Sequence, residues 1–485
     1  MIREISNGAR KSMISVFLNK MIEVGWLLIF AFCPIFFSLV CYSGFVISQY
    51  FLFCLLVEVI LFFWLIKIIL TFGPRKVATL PRGRHWNPVK SLHSHGAGIG
   101  TLKKIFFKIK KIFPAFIFII ILGLAIIFSQ SPYRSFWGSY SRKMGYLTWL
   151  HFFAFFLILF FNLKNNKQIK RILKAILFSS LVVIIYGLCQ FLGFDFVNWY
   201  EPASRTFRIF STIGQPNFLG SWLLLVIPII TWFLVRASEK FKKDKNTKQQ
   251  IIGALIVSLL FLAVFSLVLT QSRGAWVGFF FSFFFFSIIY NFLQKQKRVA
   301  ILLTILLVII CVFTVYINFN SLSPKPGDSF LTSRFKSLTN LRRSITGQVR
   351  INNWKVAVDL IKQKPILGYG PETQSFYFVK YYEPEWALTE RINTYADRAH
   401  NDFLDTLLVS GVLGLLSYLF LIGSVFYFGL KNIFKNKSQL TLLALLSGLF
   451  GYLVSLQFSF HVVPTAIYFW GYMAIILKLQ APSTK

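Results

Sequence analysis

Acidic residues and cysteines are scarce in this chain of 485 residues, which has 16 Asp and Glu against 52 Lys and Arg. The cysteines all lie inside apolar blocks without C-x-x-C spacing, a pattern that argues against a disulfide framework or a cysteine metal site. The phosphate-cradling pattern G-x-x-x-x-G-K-[ST] is also absent, so the sequence gives no indication that ATP is used. The five cysteines are Cys33, Cys41, Cys54, Cys189 and Cys311.

Long apolar blocks dominate what is present: 56% of residues are hydrophobic, 18% are aromatic and only 14% are charged. Roughly twelve blocks approach the ~20 residues that a membrane-spanning helix needs. The sequence therefore predicts an all-α polytopic membrane protein, and the first block lacks a small-residue cleavage site, so we expect it to be retained as a span. The blocks are 24–41, 51–72, 112–129, 145–163, 172–193, 217–236, 251–270, 276–293, 299–318, 403–429, 439–460 and 464–480.

The excess of cations indicates how the chain is oriented. Residues 73–111 carry ten Lys and Arg and no acid, and other short loops are also basic. The positive-inside rule assigns these loops to the cytoplasm, which leaves both termini cytoplasmic in a multi-pass protein of the cytoplasmic (inner) membrane. The net charge of +36 is then explained by membrane topology, with membrane lipids and no nucleic acid as the expected partners.

The same topology divides the chain into three parts. We predict spans one to nine in residues 1–318, with a basic cytoplasmic loop at 73–111, an extracytoplasmic catalytic loop at 319–402, and spans ten to twelve in 403–485. The outer loop contains eight of the sixteen acids. Its segment Gln348–Lys362 has apolar residues at helical intervals and is followed by a turn rich in Gly and Pro, which predicts a small, partly helical cap.

A polar cluster reading RAHND stands where the outer loop re-enters the membrane. His400 is our candidate general base there, because imidazole can accept a proton from a hydroxyl near pH 7. Asp397 or Asp402 could orient its ring, and Arg398 is a further candidate for contact with substrate. The alternative is that Asn401 and Asp402 only cap the following helix.

Arginines stand on the predicted outer face, against the positive-inside bias. Arg205 and Arg208 precede the sixth span, Arg273 lies in the short turn before the eighth, and Arg134 and Arg142 lie in SPYRSFWGSYSRKMG. Arginine holds phosphate oxygens in a fixed fork, so the group suits a lipid-linked diphosphate, although single residues could instead reach toward lipid headgroups. Asn217, in Gln-Pro-Asn before the sixth span, adds a helix N-terminus on the same face.

Four segments of the chain form a recognisable set: RIFSTIGQPNFLGSW, TQSRGAWVG, the loop with GYGPET, and AHNDFLDTLLVSGVLGLL. Together they resemble the O-antigen ligase and O-antigen polymerase superfamily. The resemblance implies a GT-C-like, twelve-span glycosyltransferase that needs no metal or other cofactor. It further implies that His400 is the essential outer-loop histidine, that Arg273 and Arg350 contact substrate, and that Arg208 or Arg205 fills a third arginine position.

The function that follows is an O-antigen ligase-like transfer, with inversion, of a glycan from a polyprenyl diphosphate carrier to an acceptor hydroxyl such as that of lipid A core. A polymerase of the same superfamily, whose acceptor is a second lipid-linked glycan, is the first alternative. A transporter or flippase of lipid-linked glycans is the alternative from another class. Glu58, inside the second span without an obvious partner, is a weak sign of such a transporter.

Overall fold

The computed structural model describes residues 2–40, 44–72, 96–195, 197, 208–320, 345–388, 396–435 and 440–479. Regular structure within these ranges is helical, which confirms the all-α prediction. In chain order the α-helices are α1 (Ile2–Phe32), α2 (Val46–Phe72), α3 (Gly96–Ile127), α4 (Pro132–Trp137), α5 (Tyr146–Asn162), α6 (Asn166–Phe191), α7 (Pro216–Lys243), α8 (Thr247–Leu269), α9 (Arg273–Leu293), α10 (Lys297–Asn320), α11 (Ile345–Gln363), α12 (Gln374–Phe378), α13 (Asp402–Lys435), α14 (Leu440–Leu456) and α15 (Val463–Lys478).

Each of the twelve predicted apolar blocks corresponds to one of these helices. Among the described residues, eight helices are long and apolar enough to cross a membrane, and α5, α14 and α15 are shorter apolar helices. This agrees with a polytopic membrane protein. The predicted bounds of the first span, 24–41, are wrong, since the apolar stretch of α1 is Met13–Phe32. The helix ends at Phe32 because Pro34, two residues later, has no N–H to continue the helical hydrogen bonds.

The buried centre of the bundle is formed by α7, α14 and α15. All residues of α15 from Val463 to Leu477 are buried. Its polar side chains bond to backbone carbonyls of neighbouring helices: Tyr468 donates to Phe30 at 2.7 Å, and Tyr472 donates to Leu225 at 3.0 Å. In an apolar surrounding such hydroxyls need partners, and these two tie α15 to α1 and α7.

The basic segment predicted at 73–111 is helical in its second part. Helix α3 begins at Gly96, so residues 96–111 are helical, whereas 73–95 lie outside the described residues. Lys111 is buried and donates to the carbonyl of Leu477 at 2.8 Å, with its ammonium 5.3 Å from the centre of the Phe428 ring. A cation that sequence placed in a loop therefore caps the last turn of α15.

Helix α13 is not one continuous span, because its backbone leaves helical geometry at Gly411 (φ 64°, ψ −165°). The turn after α11 docks at this break: Tyr369 N–H donates to Leu408 at 2.7 Å, and Val412 N–H donates to Pro365 at 2.7 Å. A Cβ on Gly411 would collide with the carbonyl of Ile366. The peptide groups freed by the break are thus bonded within the protein, as membrane helices require.

The segment between α10 and α13 has a small core of its own. Helix α11 matches the predicted helix at Gln348–Lys362 and extends it at both ends. Apolar residues of α11, the following turn and α12 pack against Ala399 and Leu408 on either side of the start of α13. This packing fixes the backbone beside His400. The buried members of the cluster are Val356, Ala357, Leu360, Tyr369, Phe378, Ala399 and Leu408.

Candidate active site

His400 stands two residues before α13 with a left-handed backbone (φ 57°), which is uncommon for a residue that carries a side chain. Its Nδ1 lies 3.1 Å from the carbonyl oxygen of Arg398. A carbonyl can only accept, so Nδ1 carries the hydrogen and the lone pair of the neutral ring is on Nε2. The strained backbone and this bond hold one tautomer, the one whose Nε2 can act as a base.

The pKa of His400 lies below its ordinary value, chiefly because burial disfavours the charged ring. The negative charge of Asp397 and the carbonyl of Arg398 oppose this shift, while the positive charges of Arg350 and Arg142 add to it. The ring is therefore neutral near pH 7, which is the state that a general base needs.

The ring of Phe460, in the connection between α14 and α15, packs against His400 and two arginines. The guanidinium carbons of Arg142 and Arg398 lie 4.9 Å and 5.0 Å from its centre, and the His400 ring meets it edge-on at 5.3 Å. Cations over an aromatic face are attracted by its quadrupole. Phe460 therefore gathers two arginines and the histidine, and sequence reasoning gave it no role.

Arg350, on the first turns of α11, reaches the same connection. It donates to the carbonyl of Phe458 at 3.0 Å, and burial lowers its pKa while leaving it charged at neutral pH. Asn401 donates to the carbonyl of Gln457 at 3.2 Å. The connection between α14 and α15 is thus hydrogen-bonded both to Arg350 of α11 and to Asn401, the residue before α13.

Arg208 and Asn217 form a second group at the starts of α7 and α9. Arg208 donates to the carbonyl of Thr270 at 3.0 Å and to the side-chain oxygen of Asn217 at 3.2 Å. Arg273 is the first residue of α9, after Ser272 at the N-cap position. Two helix N-termini therefore lie beside these arginines, and the positive ends of their dipoles favour an anion. Arg205 lies outside the described residues.

Two close approaches join this second group to the His400 group. Phe218, next to Asn217, meets the Phe460 ring edge-on at 5.5 Å. A Cβ on Gly274, next to Arg273, would lie 2.9 Å from Cβ of Phe458, so α9 runs directly against the same connection. The described candidates therefore lie at one end of the bundle, around Phe458 and Phe460: His400, Arg208, Arg273, Arg350, Arg398 and Asn217.

Glu372, in the GYGPET segment, is a residue that sequence reasoning missed. It is 5% exposed, has a positive φ of 61°, and its carboxylate pairs with Arg398 and accepts from Ser139. The carbonyl of Glu372 accepts from Arg134 at 2.8 Å. Burial lowers the pKa of Arg398 to about 10, so this guanidinium keeps its charge against its carboxylate partner.

A cavity of about 280 Å³ opens next to Glu372 and Arg398. Arg134 lies on its wall, with its guanidinium 4.4 Å from the centre of the Phe376 ring. Arg142 stands beside it and pairs with Asp397 at 2.9 Å. The sequence places both arginines on the predicted outer face, against the positive-inside bias. Their partners lie more than two hundred residues away along the chain, so no local pattern could have identified those partners.

The residues of the RAHND cluster have different partners in the structure. Asn401 caps α13, because its side-chain oxygen accepts from the N–H groups of Phe403 and Leu404, both at 3.1 Å. The carboxylate of Asp402 instead accepts a hydrogen bond from the Tyr418 hydroxyl at 2.7 Å. Since Asp397 pairs with Arg142, the ring of His400 is oriented by a backbone carbonyl and not by a hydrogen bond to either aspartate.

Glu58, expected to be isolated in its span, has a partner. Its carboxylate lies 3.2 Å from Nε2 of His151 on α5, so the expectation was wrong. Both groups lie in apolar blocks, and their distance along the chain hid the pair. The contact explains an ionisable residue in α2 without any role in transport.

Comparison with known proteins identifies a related family. Residues 258–419 match the O-antigen ligase family, a range that includes Arg273, Arg350 and His400. The chain is 25% identical over 245 residues to the ComP-specific O-oligosaccharyltransferase of Acinetobacter baylyi and 28% identical over 207 residues to the general O-oligosaccharyltransferase of the same organism. These alignments cover 48% and 42% of this chain, but only 38% and 32% of the relatives' own lengths.

A third relative is an uncharacterized protein of Haemophilus influenzae, 22% identical over 371 residues. That alignment covers 70% of this chain and 87% of the relative. Together the matches confirm the resemblance to the O-antigen ligase and polymerase superfamily that the sequence motifs indicated.

Proposed function

We propose that this chain, whose residues 258–419 carry the O-antigen ligase domain, transfers a glycan from a polyprenyl diphosphate carrier to an acceptor hydroxyl. The observation that carries the proposal is the geometry of His400: a neutral ring with its lone pair on Nε2, surrounded by fixed arginines. The names of the two Acinetobacter relatives, both O-oligosaccharyltransferases, support glycan transfer by a membrane enzyme.

In the proposed step, Nε2 of His400 takes the proton from the acceptor hydroxyl. The acceptor oxygen then attacks the anomeric carbon from the face opposite the carrier, and the bond from that carbon to the diphosphate oxygen breaks. The product has inverted configuration and the polyprenyl diphosphate leaves with the bonding electrons. A correctly placed base contributes about 10²–10⁴-fold to such a reaction.

The departing diphosphate needs positive charge that is already in position. Arg350 is held by the carbonyl of Phe458, and Arg208 by Thr270 and Asn217, so both guanidinium groups are oriented before substrate arrives. Arg273 adds charge at the start of α9. Preorganised charge of this kind is often the largest contribution to catalysis, because little reorganisation is needed during the reaction.

Orientation and location follow from charge bias. We infer a multi-pass protein of the cytoplasmic membrane, with both termini in the cytoplasm and the His400 end of the bundle outside. Residues 319–402 would then form the catalytic loop between the flanking groups of spans, 1–318 and 403–485. The donor is already activated, so the proposed reaction needs no ATP, metal or other cofactor.

The acceptor decides between two forms of the proposal. A ligase would use a hydroxyl of lipid A core or a similar molecule, whereas a polymerase would use a second lipid-linked glycan. Both forms attach the glycan to a hydroxyl oxygen, as an O-oligosaccharyltransferase does, so the relatives' names support the two alike. Identification of the glycosylated product separates the two forms.

The test is an assay of the whole chain in nanodiscs with a polyprenyl diphosphate glycan and each candidate acceptor, without divalent metal. We expect release of the carrier diphosphate together with one glycosylated acceptor. A parallel reconstitution in sealed vesicles measures movement of the donor across the bilayer. Donor that crosses the bilayer without being cleaved would overturn the transferase and support the transporter.

A further inference from the structure

A large open cavity of about 720 Å³ lies at the end of the bundle opposite His400. Helix α7 shows the separation: Asn217 at its start contacts Arg208, while Lys240 and Lys243 at its end line the cavity. The helix has 28 residues, so at ~1.5 Å per residue the two regions are about 40 Å apart along its axis. This cavity, which we call the basal pocket, is therefore separate from the candidate active site.

Cations surround the basal pocket. Its described lining contains four lysines and Arg236 against a single acid, Glu239, which pairs with Arg236 at 2.8 Å. The lysines come from two helices, α6 and α7, which meet here. Because little negative charge balances them, the pocket favours an anionic group. The lysines are Lys170, Lys174, Lys240 and Lys243.

Helix ends of both polarities meet at the pocket. Asn166 at the start of α6, Gln249 in the first turn of α8 and Thr441 at the start of α14 line it. Lys243 at the end of α7 and Leu479 after the end of α15 line it too, so three positive dipole ends are opposed by two negative ones. The attraction for phosphate oxygens therefore rests mainly on the lysines, with a smaller contribution from the helix N-termini.

The remaining wall is apolar and aromatic. Ile252 and Ile256 of α8 lie on it, next to Trp232 and Phe233 of α7. Trp232 is 6% exposed, and its ring centre lies 5.8 Å from the guanidinium carbon of Arg236. The pocket thus combines phosphate-binding charge with a surface that fits hydrocarbon.

We propose that the basal pocket binds the phosphate of an anionic membrane lipid, with the headgroup between the lysines of α6 and α7 and an acyl chain along Ile252 and Ile256. Basic pockets between spanning helices are suited to anionic headgroups on the cytoplasmic side of membranes. The ligand chemistry is a phosphodiester, so a free phosphate compound could share the charged part of the site. The apolar wall favours the lipid.

The test is a titration of the detergent-purified protein with phosphatidylglycerol, with phosphatidylcholine and inorganic phosphate as separate arms, and bound molecules counted by native mass spectrometry. The pocket variant combines Lys170→Gln and Lys240→Gln. Its control combines Lys167→Gln and Lys242→Gln, exposed lysines of the same two helices outside the lining.

Each lysine near an anionic headgroup contributes about fivefold in affinity, so the pocket variant should bind phosphatidylglycerol roughly 25-fold more weakly while the control stays within about twofold of the parent. Equal loss of affinity in both variants would overturn the site, because the effect would then be one of overall charge. Inorganic phosphate that binds as tightly as the lipid, at the same lysines, would overturn the lipid as the ligand.

Discussion

The two ends of the helix bundle hold their positive charge in different ways. Around His400 the cations are arginines fixed by specific partners: Arg398 by Glu372, and Arg350 by the carbonyl of Phe458. In the basal pocket they are mainly exposed lysines, such as Lys170 and Lys240, on the ends of α6 and α7. Fixed forks suit one defined geometry of a reacting diphosphate, whereas mobile ammonium groups suit a lipid headgroup that exchanges.

Removal of one fixed arginine should have the largest effect in this comparison. Arg350→Gln keeps a side chain that can donate to the carbonyl of Phe458 but removes the charge facing the diphosphate. We expect glycan transfer to fall about 10²–10³-fold, the usual loss when one preorganised group that stabilises the transition state is removed. The rate is measured with saturating donor, so that weaker donor binding does not contribute.

The matched control is Lys355→Gln, an exposed cation on the same helix, α11. It removes the same charge from the same element without touching the site, and we expect transfer within about twofold of the parent. If both variants lose activity equally, the difference between fixed and mobile cations has no catalytic meaning.

The second largest effect is expected on stability, from a substitution at the break in α13. Gly411→Ala puts a side chain at φ 64° and ψ −165°, where only glycine is comfortable, and against the carbonyl of Ile366. We expect a loss of about 2 kcal/mol in stability, seen as a lower melting temperature in detergent, because the turn at 365–370 can no longer dock. Gly423→Ala on the same helix meets nothing within 4 Å and should leave the melting temperature nearly unchanged. Equal melting temperatures for the two variants would contradict the docking.

The smallest expected effect is on pH dependence. The pKa of His400 lies below its ordinary 6.5, so its basic form is lost only as the pH falls through that lower value, and the acid limb of the rate profile should have its midpoint below 6.5. Asp397 raises this pKa, so Asp397→Asn should move the midpoint to lower pH. The check is kcat/KM against pH for both proteins, because that profile reports the pKa of the protein without substrate, and a midpoint that moves upward in the variant contradicts this electrostatic account.

The spans could be predicted from sequence because each is a local property: a run of apolar residues of the right length. The break at Gly411 could not, since it depends on a turn more than forty residues earlier that supplies hydrogen bonds to the freed peptide groups. Arg208 and Arg273 were found because they stand against the positive-inside bias, His400 because it lies in a polar cluster where the chain re-enters the membrane, and Arg350 through the family resemblance. Glu372 and Phe460 carry no such signal, and only the tertiary fold brings them to Arg398.

The central claim is that His400 is the base for glycan transfer. Its most direct test is single-turnover transfer by the His400→Ala protein in nanodiscs, with the melting temperature as the check on folding and added imidazole as a rescue. The account predicts a rate lower by about 10²–10⁴-fold at an unchanged melting temperature, with part of the rate restored by imidazole. Transfer at the parent rate in a folded His400→Ala protein would contradict it.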